Sequence, residues 1–246
     1  KMFSTYKKLV KLNLDDLALY LAVEGGLFLV IQIIIGCVMH FGRPDTSVTV
    51  SCILFPIVGG FTALIAGISH VGVSFDQALR FGQTRKRALG LTLGLCAFES
   101  AFALALGAVL AALERFLCPP LWAELAGLDG WRFGGLSAPA PEPGAAIPAR
   151  EPLLVVESFT LDWYWWLLIF ALAVGGGVIV GAVLQRFGSK GGWIIWGICF
   201  APMILGQVLP WRTYEITDWL FPLLGFIFVA GFLWSLWSLL HAVVRT

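Results

Sequence analysis

The chain has 246 residues, of which 59% are hydrophobic and only 13% are charged, with a formal net charge of +1. Soluble globular domains carry about twice this share of charged residues, and a chain this apolar does not lack surface to bury. A soluble enzyme and an intrinsically disordered protein are therefore both excluded, and the composition predicts a protein embedded in lipid.

The N-terminal segment is basic and amphipathic. On a helix, its apolar side chains fall on one arc and its lysines on the other; the lysines are Lys1, Lys7, Lys8 and Lys11. This pattern predicts an interfacial helix over residues 1–16, lying on the inner leaflet with Lys7, Lys8 and Lys11 at the membrane interface. A solvated positive tail is the alternative.

Six apolar stretches follow, each long enough for a helix that crosses the hydrocarbon core, which takes about 20 residues. Their acidic residues are Glu24 and Glu99 alone, which is too few for buried helices of a soluble protein. We predict an all-α, polytopic membrane protein with one transmembrane domain and six spans: Leu17–Met39, Ser47–Val73, Ala88–Leu113, Tyr164–Leu184, Trp193–Pro210 and Leu220–Val244.

The charges of the connecting segments predict the orientation, because Lys and Arg are retained on the cytoplasmic side. With both termini inside, the cytosolic segments hold eleven basic and three acidic residues, a net charge of +8. The external segments hold five basic and ten acidic residues, a net charge of −5. We therefore expect cytoplasmic N- and C-termini, and the basic faces need no nucleic acid to explain them.

Segment 74–87, between the second and third spans, is predicted to be cytosolic. Ser74 and Gln77 have the spacing of a capping box, Gly82 suits the position after a helix end, and Thr84 can cap the next helix. These signals predict a two-turn helix made of Phe75, Asp76, Gln77, Ala78, Leu79, Arg80 and Phe81. A short rigid helix here suits the transmission of force from a soluble partner, although an ordinary capped turn explains the same residues.

The largest segment outside the spans, residues 114–163, is predicted to be extracellular. Its part Pro119–Leu128 is compatible with a short helix, whereas Ser137–Pro152 contains five prolines and five alanines and is typical of an extended tether. We expect an extracellular cap rather than an independent domain.

Four polar side chains lie at membrane depth: Glu24, Gln32, Glu99 and Gln207. A charged, unpaired carboxylate there costs several kcal/mol. The four residues therefore predict either a polar substrate pathway or hydrogen bonds between helices.

Small residues recur at a spacing of four in two spans, as Gly90 with Gly94 and as Gly177 with Gly181. Such pairs let helix backbones approach closely in lipid. We expect them at helix–helix contacts, within the bundle or between copies.

This layout resembles the type-2 permease subunits of ATP-binding-cassette (ABC) exporters, over nearly the whole chain in architecture. The stretch Gly82-Gln-Thr84-Arg85-Lys86 is similar to the G-x-[ST]-R-K loop of small Gram-positive-type permeases, among them exporters of amphipathic peptides such as phenol-soluble modulins. The short external turn before the sixth span and the larger segment after the third also match.

The resemblance implies a bacterial cytoplasmic membrane permease that forms the substrate pathway as a homodimer and exports an amphipathic peptide or lipid-like molecule. Residues Phe75–Phe81 would be the coupling helix that docks on a cytosolic ABC ATPase, present in two copies, which binds ATP and Mg²⁺. The chain itself has no GxxxxGK[ST] motif to hold ATP phosphates. No catalytic residue, cofactor or metal site of its own is predicted.

Two other classes stay open. An ion-coupled secondary carrier would use Glu99, and would be expected to carry inverted repeats with broken helices. An intramembrane enzyme has less support, because the spans contain no GxSxG or HxxxH motif and Glu99 alone cannot supply both acid and base.

Overall fold

The computed structural model describes residues 14–134, 153–208 and 217–241. Most of the predicted interfacial helix over residues 1–16, including Lys7, Lys8 and Lys11, lies outside the described residues. The predicted tether Ser137–Pro152 lies outside them entirely.

The described residues are mostly helical. A π-helical turn, His70–Ser74, joins the second helix to the third without a break. The helices in chain order are α1 (Leu14–Gly42), α2 (Ser51–Ser69), α3 (Phe75–Arg80), α4 (Arg85–Ala126), α5 (Trp163–Phe187), α6 (Ser189–Val208) and α7 (Thr217–Leu240).

Five helical stretches within the described residues are long and apolar enough to cross a membrane: Asp15–Gly42, Ser51–Arg80, Arg85–Ala126, Trp163–Phe187 and Pro222–Leu240. The predicted mainly helical architecture is therefore confirmed, with five stretches that could each span a membrane. Helix α6 overlaps the predicted span Trp193–Pro210 but is not one of these five. The count of six spans and the cytoplasmic termini stay predictions.

Helix α4 is longer than its predicted span, Ala88–Leu113. Its 42 residues correspond to about 63 Å at a rise of 1.5 Å per residue, about twice the thickness of the hydrocarbon core. The helix runs on through Pro119 and Pro120 to Ala126, so most of Pro119–Leu128 is helical as expected but continues α4 instead of forming a separate short helix. Because Cys118, Trp122 and Ala126 form a buried stripe at a spacing of four, packing favours a continued helix there.

A small parallel β-sheet makes the all-α prediction incomplete. Strands β1 (Thr46–Thr49), β2 (Gly130–Gly134) and β3 (Leu153–Ser158) pair in the order β1-β3-β2. Strand β1 was predicted to lie in the second span. Its β-branched residues favour extended backbone and pair with β3, so the helix of that span begins only at Ser51.

The chain divides into two compact units. The tip unit comprises the described residues of Gly60–Ser100 and Phe170–Thr246, and its core contains Val71, Phe75, Ala88, Leu89, Val178, Ala182 and Leu239. The sheet unit comprises the described residues of Leu12–Gly59 and Ala101–Ile169, and its core contains Met39, Cys118, Trp122, Ala123, Ala126, Leu154 and Val156. Residues Leu154 and Val156 alternate on the buried face of β3, as expected for a strand with one face in a core.

Close helix packing in the tip unit depends on glycine. A Cβ atom added at Gly177 would lie 3.1 Å from the Cα of Gly67, and one added at Gly181 would lie 2.6 Å from the Cβ of Val71. The predicted packing role of this glycine pair is therefore confirmed. A Cβ at Gly90 would meet nothing within 4 Å, so Gly90 does not mark such a contact within the described chain.

Candidate functional site

The predicted coupling helix is the end of a longer helix rather than a separate element. The backbone of Ser74 is helical, with φ −67° and ψ −35°, and its side chain makes no capping hydrogen bond. The next N–H, that of Phe75, already donates to the carbonyl of His70. The predicted capping box at Ser74 and Gln77 was therefore wrong, because the helix runs on through Ser74 from the π-helical turn and does not begin there.

The end of this helix agrees with the prediction. The N–H of Gly82 donates to the carbonyl of Leu79 and that of Gln83 to the carbonyl of Ala78, at 3.0 and 3.1 Å. This is the Schellman pattern, which requires a left-handed residue after the helix. Gly82 provides it with φ +76°, and the chain then turns directly into α4.

Side chains on one side of this turn fix it to the tip unit. Phe75 is fully buried and belongs to the core cluster formed with Ala88, Val178 and Leu239, among others. Ala78 and Leu79 are partly buried and pack against the same cluster. Three of the seven predicted coupling residues therefore hold the helix against the core of the tip unit.

The other side is presented to the outside and is basic. Phe81 is 85% exposed, although it directly follows the helix, and Gln77 and Arg80 are exposed as well. Asp76 forms an ion pair with Arg80 at 3.1 Å. We call the exposed set of Gln77, Arg80, Phe81, Thr84, Arg85, Lys86 and Arg87 the basic tip.

The basic tip borders a depression of about 560 Å³, lined by Thr84, Arg85, Lys86, Leu240 and His241. Within it, Nη1 of Arg85 donates a hydrogen bond to the carbonyl oxygen of Leu240 at 3.3 Å. The end of α7 is thus hydrogen-bonded to Arg85 of the basic tip.

Glu99 has a partner that sequence reasoning did not assign. Nε2 of His70 lies 2.9 Å from each carboxylate oxygen of Glu99, and both residues are buried. Nδ1 of His70 lies 3.4 Å from Oγ of Ser74, one turn further along. The pair joins the π-helical turn to α4 within the tip unit, in keeping with the tendency of π-turns to occur at functional sites.

Glu24 is fully buried in the sheet unit. Its two carboxylate oxygens have no hydrogen-bond partner within the described part of the chain. A Cβ atom at Gly59 would lie 2.8 Å from Oε1 of Glu24. The missing side chain of Gly59 therefore provides the room that this carboxylate occupies.

Gln32 forms a second polar contact, with Glu114, a residue that the sequence analysis placed outside the membrane. Nε2 of Gln32 donates to Oε1 of Glu114 at 3.0 Å, and the N–H of Ser51 donates to Oε2 at 2.8 Å. Glu114 is buried and accepts from the first residue of α2, where a carboxylate is favoured by the helix dipole. The apolar run Phe116-Leu117-Cys118 after Glu114 was the available signal that the helix continues.

The predicted pathway residues are therefore distributed over separate contacts. Glu99 pairs with His70 and Gln32 with Glu114, both outside the predicted set. Gln207 lies in α6, and its side chain is outside the described part of the structure. For Gln32 and Glu99, the contacts agree with the alternative of hydrogen bonds between helices.

Comparisons with protein-family models, curated proteins and solved structures find no match for this chain.

Proposed function

We propose that the chain is the permease subunit of an ATP-driven exporter, and that the basic tip docks on a separate cytosolic ATPase. The observation that supports this most directly is Phe81, an 85% exposed aromatic side chain held at the end of a helix whose base is buried. An exposed large apolar residue rimmed by polar ones is typical of a docking surface.

The anchoring of the turn suits it to transmit force. Phe75 is buried in the core of the tip unit, and the Schellman hydrogen bonds fix the direction in which the chain leaves the helix. A displacement of Phe81 would therefore move the helix as a body instead of being absorbed by a flexible loop. Since the α2–π–α3 stretch is continuous from Ser51 to Arg80, that movement would reach the second predicted span.

The charge of the tip indicates the chemistry of its partner. Arg80, Arg85, Lys86 and Arg87 outnumber the single carboxylate of Asp76 in this segment. We infer a partner with an apolar pocket for Phe81 inside an acidic rim, as expected where complementary charges steer two proteins together. Two ATPase subunits, which would bind ATP and Mg²⁺, and two copies of this chain would form the exporter in a bacterial cytoplasmic membrane.

The proposed cargo is an amphipathic peptide or a lipid-like molecule. Its support is the resemblance described above and the scarcity of charge in the predicted spans, whose carboxylates are Glu24 and Glu99. Pathway residues specific to the cargo are not assigned.

The test compares Phe81→Ala with Phe41→Ala, a matched control whose phenylalanine is 82% exposed but lies at the end of α1. Tagged chains are purified from native membranes and probed for a co-purifying ATPase, and uptake of a fluorescent amphipathic peptide is measured in inverted vesicles with ATP. We expect Phe81→Ala to lose both the ATPase and the transport, while Phe41→Ala keeps them. If the unchanged chain retains no ATPase, or if Phe81→Ala behaves like the control, the proposal fails.

A second candidate, an ion-coupled carrier, is favoured by the buried contact of His70 with Glu99. Ionisable pairs inside membranes often lie on proton or ion pathways. Transport that survives ATP depletion but stops when the ion gradient is dissipated would support this candidate over the exporter.

A further inference from the structure

The sheet unit contains a cavity of about 240 Å³. Three small side chains of α4 leave room for it, those of Ala108, Ala111 and Ala112. The aromatic side chains of Phe159 and Trp166 line it as well. Pockets that enclose a whole small molecule usually measure about 300–1,000 Å³. This cavity therefore suits one end of a larger ligand, the rest of which would lie outside it.

The cavity is lined by one basic and one acidic residue, Arg115 and Glu114. Arg115 lines it and stacks over the ring of Phe133, with Cζ 5.3 Å from the ring centre. Within residues 14–134, 153–208 and 217–241, no carboxylate forms an ion pair with Arg115. The carboxylate oxygens of Glu114 already accept from Ser51 and Gln32, so Arg115 is the charged donor that this cavity can offer a ligand.

The remaining polar wall adds hydroxyl groups, from Thr49 and Ser158. A guanidinium and hydroxyl groups in one cavity suit a phosphate or carboxylate, because Arg presents several N–H donors in a fixed fork. The chemistry of the cavity thus indicates an anionic end group.

An exposed apolar stripe leads away from the cavity along α4. Val109, Leu113 and Phe116 are exposed and follow one another at spacings of four and three, which places them on one face of the helix. Phe116 also lines the cavity. The stripe is about 10 Å long at 1.5 Å per residue, so an acyl chain can lie along it while its head group occupies the cavity.

Aromatic residues place the cavity at the level of lipid head groups. Trp163, Tyr164 and Trp165 are exposed at the start of α5, next to the cavity residue Trp166. Trp and Tyr are enriched at membrane–water interfaces, where their rings reach both phases. A phosphate group at this depth belongs to a phospholipid.

We propose that this cavity binds the phosphate of a membrane phospholipid through Arg115, with an acyl chain along the Val109–Leu113–Phe116 stripe. The site lies in the sheet unit and does not depend on the ATPase or on the transport proposed above. The exported peptide is the competing occupant, since its terminal carboxylate offers the same charge without two acyl chains.

The experiment is native mass spectrometry of the detergent-purified full chain after addition of phosphatidylglycerol or of diacylglycerol with the same acyl chains. The variants are Arg115→Gln, and Arg132→Gln as the matched control, whose exposed arginine lies on β2 outside the cavity. We expect the unchanged chain and Arg132→Gln to retain phosphatidylglycerol, and Arg115→Gln to bind it about tenfold more weakly, the effect of losing a hydrogen bond to a charged group. Diacylglycerol should not be retained.

A second variant, Ala112→Trp, fills the cavity without changing its charge and keeps the test decisive if Arg115→Gln does not fold. It should also lose phosphatidylglycerol. Equal retention of phosphatidylglycerol by both variants and the unchanged chain, or equal retention of diacylglycerol, would overturn the proposal. Displacement of phosphatidylglycerol by an equimolar apolar peptide with a free carboxyl terminus, but not by its amide, would assign the cavity to the peptide instead.

Discussion

His70 and Glu99 face each other across two helical elements, with Nε2 of the imidazole 2.9 Å from both oxygens of the carboxylate. Both side chains are buried. Each therefore provides a hydrogen-bond partner for a buried polar group of the other, and burial of polar groups is costly without such partners.

We expect His70→Ala and Glu99→Ala each to lower the free energy of unfolding by about 1.5–3 kcal/mol, because each removes a buried hydrogen bond that involves an ionisable group. The double variant should be less damaged than the sum of the two single variants. Titration with sodium dodecyl sulfate in mixed micelles measures the free energy of unfolding of the unchanged chain, the two single variants and the double variant. Strictly additive losses would show that the two side chains do not interact.

Alanine substitutions at two glycines should change the stability of the chain in opposite directions. A Cβ at Gly181 would lie 2.6 Å from Cβ of Val71, so Gly181→Ala should destabilise the chain by about 1–3 kcal/mol through overpacking. Gly90 lies inside α4, and apart from its chain neighbours and the local helix backbone, no atom of the described residues lies within 4 Å of an added Cβ. Gly90→Ala should therefore stabilise by about 0.5–1 kcal/mol. The same unfolding titration checks both, and a loss of stability in Gly90→Ala would contradict the packing described for this site.

Replacing Glu114 should destabilise the chain more than replacing Glu124, which lies further along the same helix. Glu114→Ala removes the acceptor for Ser51 and Gln32 and should cost about 1.5–3 kcal/mol. Glu124 is exposed on α4, and Glu124→Ala should change stability by less than about 0.5 kcal/mol. Similar losses in the two variants, measured by thermal unfolding in detergent, would show that the contacts of Glu114 contribute nothing.

The number of spans can be tested by cysteine labelling from one side of the membrane. In a chain without its native cysteines, single cysteines replace the exposed residues Thr84, Arg132, Ser189 and His241. Six spans place Thr84, Ser189 and His241 on one side and Arg132 on the other. If α6 does not cross, His241 will be labelled together with Arg132, and the six-span prediction will be wrong.

The sequence predicted best those features that depend on neighbouring residues. Gly82 was identified as the end of the coupling helix because its backbone conformation is a local property. Ser74 was misjudged because the helix continues through it from the π-helical turn, so no helix begins there. The β-sheet was missed because β1 and β3 are four and six residues long, and hydropathy does not identify a strand's partner when it lies far away in the chain.

At the candidate site, too, local features were predicted and contacts between distant residues were not. The local sequence placed Phe75 and Leu79 in the coupling helix, and both contact the core. The partners of Glu99 and Gln32 lie 29 and 82 residues away along the chain. No spacing rule connects such residues, so only the packing of whole helices reveals which polar groups meet.

The parallel sheet has a consequence for the order in which the chain folds. Thr46 pairs with Val155, more than a hundred residues later, and β3 is the central strand, between β1 and β2. No hairpin can form early, and contacts of such long sequence separation form slowly. During synthesis, the edges of β1 and β2 therefore stay unpaired until β3 has been translated. The sheet unit completes its core late, and a chain truncated before Leu153 would leave both strands open to aggregation.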